Sequence, residues 1–436
     1  MAIIPSSTRF VGIAPSVNLT EKKSNQLNSE TQPYTMQDFQ DSISPDLSPI
    51  VVDGNSVGID ADPTATTQAV AVIESLTTNA GIVLKPNGTG AIMAQVPDGT
   101  VTGGNARGQY AVDLQRGRTN STQVAGGRFD VIAGGENNFI SIHNDGHRVI
   151  GSGYQNAITI AGSSVIAGGS QNSISGPPSA FSTISGGQSN TASTNTHATV
   201  VGGQSNTSSG QYSVSGGNTC TASGASSVAI GSNNITSNTG AVALGSYNNT
   251  SGNNAACIGT ANLASQTYAV SLGFASKGYL RGQLISASGY FNGAGDAQQS
   301  ILVARKSDTL ASAATTVLSL DGTGTTNLII PDGTNRAWNV TVKWVAVCTA
   351  TGSGTTAVGD VAIATDSFMF KKVSGTSSIG SVQNLQNSQD ATMAGATCSY
   401  AVGGSQDLQI TFTAPASANA TTFRVVAKVE LTEVAW

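Results

Sequence analysis

The sequence predicts an all-β chain: a parallel β-roll of short stacked coils followed by a carboxy-terminal antiparallel β-sandwich tip. Three observations predict it. Units resembling (Val/Ile)-x-x-Gly recur with their last glycines at Gly135, Gly153, Gly169, Gly187, Gly203, Gly217, Gly231, Gly245, Gly259 and Gly273, at intervals of 18, 16, 18, 16 and then 14 residues. Residues 149 to 276 form a run of 128 positions without Asp, Glu, Lys or Arg. Beyond residue 300, segments such as 340–343, 368–372 and 424–430 set Lys, Arg and Glu against apolar residues in alternation. That pattern gives a strand one buried face and one wet one.

The 436 residues include 52 Gly, and only 10% are charged. This composition lies far from average globular usage. Low charge suggests a membrane protein, yet the longest apolar runs, such as Val345-Ala-Val-Cys348, fall well short of the roughly 20 residues of a spanning helix. No membrane insertion is expected. The opening MAIIPSSTRFVGIAPS has neither a basic segment nor a continuous apolar one, so no secretory signal is read there. Cys220, Cys257, Cys348 and Cys398 lie far apart without metal-ligand spacing. They read as small apolar packers in a chain made in a reducing cytosol. A net charge of -5 without any basic cluster predicts no binding to nucleic acid.

Along the chain, residues 1–50 are polar and hold five of the twelve prolines. They read as a segment that attaches to another protein, with one short amphipathic helix candidate at 35–43. Residues 51–125 read as a β-rich collar that starts the shaft, with Asp-Gly turns at Asp53 and Asp98 and a short helix candidate at 64–75. Residues 126–276 are the repeats. A unit of 14 residues is too short for a helical repeat of roughly 34 residues or a propeller blade of roughly 40, which leaves a β-coil. Within it, Val228 and Ile230 alternate with Ala229, and Val242 and Leu244 with Ala243, so Val, Ile and Leu are expected to fill a thin core and Ala, Ser and Asn to face outward. Glycine and asparagine are expected to turn the chain, since both tolerate positive φ. The third residue after each marker is asparagine at Asn138, Asn156, Asn172, Asn190, Asn206, Asn234, Asn248 and Asn262, and fails only at Cys220 and Ser276. A rod this narrow with uncharged outer faces needs cover, and three identical chains packed around a threefold axis supply it. Residues 277–300 read as a neck, and 301–436 as the sandwich tip.

The units SVAIGSNN, GAVALGSYNN and YAVSLGFAS resemble the head repeats of YadA-type trimeric adhesins. The resemblance implies a left-handed parallel β-roll assembled as a trimer. VIAGGENN, VIAGGSQN and VVGGQSN, with GNARGQYAVDLQ at 104–115, are similar to virion fibre proteins of tailed bacteriophages. A bacterial adhesin of this kind would add a signal peptide, a heptad stalk and a membrane-anchoring barrel segment. The sequence thus points to a homotrimeric virion fibre that adheres to the host surface through its tip, its partners being its own copies, a virion protein at the amino-terminal segment, and a host surface receptor with glycans among the candidates. A capsid-attached head fibre, a bacterial surface adhesin and a polysaccharide depolymerase tailspike are the alternatives.

The candidate sites are few. His143, Asp145 and His147 place two imidazoles and a carboxylate within five residues, conceivable as a metal site on the threefold axis, although Asn-Asp-Gly is also a strong turn signal. No cofactor and no resident metal are expected. Trp338, Val340, Val342, Trp344 and Ala346 share one strand face at period two and read as core rather than as a sugar-stacking platform. Receptor contacts are then expected in loops at 327–336, 349–356 or 376–390. Glycosidic chemistry needs paired carboxylates, which the repeat lacks. Asp296, Asp308, Asp321, Asp332, Asp360 and Asp366 supply carboxylates only in the neck and tip. On this basis the chain is expected not to be an enzyme.

Overall fold

A computed structural model describes residues 84, 86–143, 146–159, 162–176, 181–193, 197–324 and 335–436. All but the first belong to one compact unit spanning 85–436. The attachment segment 1–50, the helix candidates at 35–43 and 64–75, and Asp145 lie outside the described residues. Within them there is no α-helix, and the one helical turn is the 3-10 segment Ala391–Met393. Among the described residues no helix is long and apolar enough to cross a membrane.

The repeats form a solenoid whose coils each contribute one short strand to either of two parallel sheets. In the first sheet Val131–Ile132 pairs with Val149–Ile150, then Val165–Ile166, Thr183–Ile184 and onward to Leu284–Ser288. The second is a ten-stranded stack running from Phe139–Ile140 to Lys277–Gly278. The coils extend beyond the expected limits in both directions. Ile92–Met93 and Val112–Asp113 already pair in parallel within the expected collar. At the other end Leu284–Ser288 pairs antiparallel with Ala297–Leu310, so the expected neck is the last coil and its splice into the tip rather than a linker.

The marker glycines turn the chain as expected, with φ between +85° and +126°. At Gly203, a Cβ would come within 1.9 Å of the Gly217 carbonyl oxygen of the next coil. Only glycine fits there. The asparagines do something else. The residue before each repeat position, Cys220 and Ser276 included, takes the left-handed conformation, with φ from 54° to 63° at Asn137, Gln155, Gln171, Ser189, Ser205, Thr219, Asn233, Tyr247, Ala261 and Ala275. Each following asparagine is buried and turned inward. Asn172 shows the pattern: its Nδ2 donates to the Gly168 carbonyl at 3.0 Å and the Gly187 carbonyl at 2.9 Å, while its Oδ1 accepts the backbone N–H of Asn190 at 3.0 Å. The same contacts repeat from Asn138 to Asn262. Where the asparagine is missing, the ladder still receives a rung from below, as the backbone N–H groups of Cys220 and Ser276 donate to Asn206 and Asn262.

The expected core holds in the early coils and inverts in the later ones. Ile132, Ile140, Ile150, Ile158, Ile166, Ile174 and Ile184 are completely buried. From the 14-residue coils onward the inward positions are Ala229, Thr236, Ala243, Thr250, Cys257, Ala264 and Ser271, all fully buried. A shorter coil encloses a narrower section, and only small side chains fit. Inward hydroxyls reach backbone carbonyls at Thr250, Oγ1 on Val242 at 3.0 Å, and at Ser271, Oγ on Leu263 at 2.8 Å. The large residues therefore point out. Ile230, Leu244, Ile258 and Leu272 stand in register on successive strands, with Ile230 38% and Ile258 45% exposed.

The first coils of the roll also enclose charge in their interior. Arg148 and Asp130, 18 residues apart and so one coil apart, form a fully buried two-point ion pair at 3.0 and 2.8 Å. Asp113 binds Arg107 at 2.8 Å and Arg118 at 3.3 Å, again fully buried. Buried carboxylates of this kind are tolerated only with such complete pairing.

In the tip, Ala297–Leu310, Thr421–Ala435, Asn335–Ala350 and Val361–Val373 form an antiparallel sheet in that spatial order. Thr315–Val317, Leu408–Thr413 and Thr397–Val402 form a second. One core joins them, including Trp338, Trp344, Phe370, Phe412 and Phe423. The period-two reading of Trp338 to Ala346 as core is correct, since these residues are no more than 2% exposed.

Replacing Asn172 by alanine removes the Nδ2 bonds to the Gly168 and Gly187 carbonyls and to Asn156 Oδ1, together with one accepted bond, in the roll interior. At about 1 kcal/mol or more for each group left unpaired, Asn172→Ala is expected to destabilise the roll by roughly 3 kcal/mol, read as a lower denaturant midpoint. The outward Gln171→Ala should change it by less than about 0.5 kcal/mol, as surface changes do.

Candidate functional site

The exposed surface that stands out in the tip is a single strand. Gln383–Gln389, of sequence QNLQNSQ, pairs with Val361–Val373 on one side. Gln383, Asn384, Leu385, Gln386, Asn387 and Ser388 are all exposed, on both faces. No other strand hydrogen-bonds its outer edge among the described residues. An edge strand without charge, proline or cover is a recognised liability, so this one invites a partner. Its side-chain amides present donors and acceptors at once, which suits a ligand rich in hydroxyl groups.

One buried carboxylate sets the position of this strand. Asp366 is 5% exposed and accepts from Asn384 Nδ2 at 2.8 Å, Tyr400 Oη at 2.6 Å and Trp344 Nε1 at 3.3 Å. Burial, together with the bond to Asp366, pushes the Tyr400 phenol far above its usual range. The pairing register slips at Thr365/Asp366, where the side chain turns inward to collect these donors. Sequence reading took 376–390 for a loop. It holds two strands, Thr376–Ile379 and Gln383–Gln389, and the second has no alternation to betray it because neither face is buried. Residues 349–356 continue the end of Asn335–Ala350 into a turn fastened to 417–419 by Ser353 N–H on Asn419 O and Thr355 N–H on Ser417 O, both at 3.1 Å. Most of 327–336 lies outside the described residues.

The other aspartates singled out in the sequence each hold nearby backbone or hydroxyl groups. Asp296, at the splice between roll and tip, accepts the backbone N–H groups of Phe291, Asn292 and Gly293 at 2.9, 2.6 and 2.8 Å. Asp308 holds Thr316, Asp321 holds Ser319 and Thr323, and Asp360 holds Ala357 N–H and Thr392. Asp332 lies outside the described residues. Burial raises the Cys257 thiol to about 11, and burial also raises Cys398; all four cysteines are free.

The histidines of the metal candidate are placed on the outer corner of the roll. His147 is stacked on Phe129, ring centroids 5.0 Å apart, with Nδ1 2.7 Å from the Gly146 carbonyl. His143 bonds the adjacent Ile142 carbonyl. Asp145 is not among the described residues, and within them no group of three His, Cys, Asp or Glu side chains could hold a metal ion. His147 belongs to a ladder of corner rings that sequence reading missed. Tyr110, Phe129 and His147 stack at 5.0 Å steps, and Phe181, His197 and Tyr212 at 5.2 and 4.9 Å. Each sits two residues before a strand of the first sheet, a spacing that could have revealed the set.

No protein-family model matches the chain, and no curated protein does. Three solved structures resemble it at low similarity. The tailspike of Acinetobacter phage vB_ApiP_P1 aligns at 9% identity over 79% of this chain and 74% of its own, TM-score 0.22. The tailspike of Acinetobacter baumannii phage AM24 aligns at 10% identity over 73% of this chain and 60% of its own, TM-score 0.23. The third, the gp49 tailspike of A. baumannii bacteriophage Fri1, is a capsular polysaccharide depolymerase and aligns at 10% identity over 79% and 70%, TM-score 0.20. The expectation that the chain is not an enzyme is corrected by these neighbours, which are tailspikes and in one case a named depolymerase. At such scores the likeness transfers no activity.

Burial opposes ionisation of Asp296, but three backbone bonds and the nearby Arg336 outweigh it and hold the carboxyl below its ordinary value. A lowered folded pKa gives stability that is complete above the unfolded value of about 3.9 and is lost as pH falls through the folded value. Unfolding measured from pH 7 down to pH 2 is therefore expected to show wild type more stable than Asp296→Asn at pH 7, the gap closing only in the acid range. A gap independent of pH would contradict this assignment.

Proposed function

We propose that the chain is a homotrimeric fibre of a tailed-phage virion that adheres to the host surface through its carboxy-terminal tip. One observation carries this reading: the ladder of large aliphatic side chains that the narrow coils turn outward. Ile230, Leu244, Ile258 and Leu272 repeat once per coil within a run of 128 uncharged residues. Contiguous exposed apolar surface marks an interface. A partner has to match that repeat coil for coil, and another copy of the same roll does. Three rolls so joined make a stiff rod, stabilised by many short-range contacts. The two antiparallel sheets of 297–435 then act as a sandwich tip at its end, and three uncharged amide strands on three tips give multivalent attachment, which raises avidity without strong single-site affinity. The amino-terminal segment 1–50 is the part proposed to dock on the particle.

The first test is the mass of the chain and its location on the virion. The protein is expected to sediment at about three times its 43.7 kDa, and Ile258→Lys, a change on an outward position, is expected to yield a folded monomer. A monomeric wild type would refute the trimer. Labelled antibody against 301–436 should mark the distal ends of tail-attached fibres in images of the particle. Label on the capsid would make this a head fibre, and reducing ends released from host capsule would make the adhesin a depolymerase as well.

A further inference from the structure

The outer face of the larger tip sheet is not the polar surface that an antiparallel sheet normally turns to water. Val426, Val345 and Ile363 lie directly across three neighbouring strands, and Val347 and Val361 oppose one another two residues further on. Val303 stands beside them on Ala297–Leu310, two residues before Arg305, which opposes Val426. All six point away from the core. Val303, Val345 and Val426 are 47%, 43% and 45% exposed, and the other three are half-buried. Six adjoining β-branched side chains make a contiguous apolar patch, which marks an interaction surface. Its charges lie at the border: Arg305 bonds the carbonyls of Leu320 and Asp321, and Arg424 opposes Val347. An apolar centre with a charged rim is how protein interfaces are built.

Towards the other end of the same strands, Ala337, Asn339, Met369, Thr432 and Val434 line a depression on that face. Between patch and depression the charges pair with one another, Lys343 and Lys428 reaching Glu430 at 3.5 and 2.5 Å. The six aliphatic side chains offer a sugar neither a ring to stack on nor a hydrogen bond. Their face also prolongs that of the roll. Leu284, 42% exposed, opposes Val270 of the coil before it and Ile301 of the tip, so Ile230, Leu244, Ile258, Leu272 and the Val345 patch all look out from one side of a continuous sheet. A ring of three identical chains needs two different patches on each chain, and this face carries two. We infer that the three tips pack on one another through this face, the Val345 patch of each being covered by the tip of a second copy. The inference rests on the trimer reading and goes beyond it: the tips form one closed cap, and the exposed strands Gln383–Gln389 at the sheet edges are presented to the host at fixed spacing, the condition under which multivalent binding gains most.

Methionine oxidation reads this interface in the full chain. Met369 borders the depression and is 45% exposed in a single copy, whereas Met393 of the same tip is completely buried. Sulfoxide formation follows exposure, so in the wild-type trimer treated with dilute hydrogen peroxide Met369 is expected to oxidise no more than about threefold faster than Met393. Val345→Lys, a change on an outward position, is expected to raise the Met369 rate at least about fivefold, with Met393 staying slow as the sign that the tip remains folded. Ala401→Lys is the control. Ala401 is exposed on the strand Thr397–Val402 of the second sheet, and this change should leave the Met369 rate within about twofold. A trimeric wild type in which Met369 oxidises faster than that limit, or a folded Val345→Lys in which Met369 stays protected, would overturn the closed cap alone. A wild type with the mass of one chain would overturn the trimer reading and the cap together.

Discussion

The roll depends on a buried asparagine whose amide group bonds to three separate backbone groups. Nδ2 reaches a carbonyl of its own coil and one of the next, and Oδ1 takes the N–H of the next asparagine, so each side chain ties two coils at a point where neither could satisfy itself. A coil this short has little apolar area to bury, and hydrophobic burial alone would leave it marginal. The amide ladder supplies fixed register instead. It also determines the glycines, because coils held this closely bring each marker within about 2 Å of where the next coil's carbonyl would meet a Cβ, and it leaves the preceding residue in the left-handed region whatever its type.

From that constraint the inside-out coils follow. Once the interior is narrowed to the section a 14-residue turn can enclose, Ala, Ser, Thr and Cys are what fit, and the chain's large aliphatic side chains have nowhere to go but outward. A monomer in this state carries a stripe of uncovered apolar surface over the same length on which it carries no charge. The early coils, longer by two to four residues, keep isoleucine inside and can enclose even an arginine, provided that it meets a carboxylate one coil away. The same fold thus has a wide start that buries its large side chains and a narrow continuation that turns them outward.

The tip obeys ordinary strand chemistry by contrast. Its strands alternate, its tryptophans are core, and its one unusual element is a strand exposed on both faces and held in place by Asp366. The splice from parallel roll to antiparallel tip is continuous, since Leu284–Ser288 pairs with a coil on one side and with Ala297–Leu310 on the other. The tip is therefore oriented by the last coil, with no intervening linker to uncouple the two.

Periodicity by itself determined the β-coil, the positions of the marker glycines and of the recurring asparagines though not their burial, and the packed face of the strand from Trp338 to Ala346, because each of these is a local spacing that one backbone geometry satisfies. The direction in which Val228 and Ile230 face was beyond it: alternation says only that the two share a side, and which side is inward depends on the section the closed coil leaves free. The exposed strand Gln383–Gln389 was equally hidden, since a strand with no buried face has no hydrophobic period. The ion pair of Asp130 with Arg148 and the stack of Phe181, His197 and Tyr212 join residues 15 to 18 positions apart. Such pairs become neighbours only when the chain has closed a turn and returned to lie on itself, and that closure is what the tertiary structure decided.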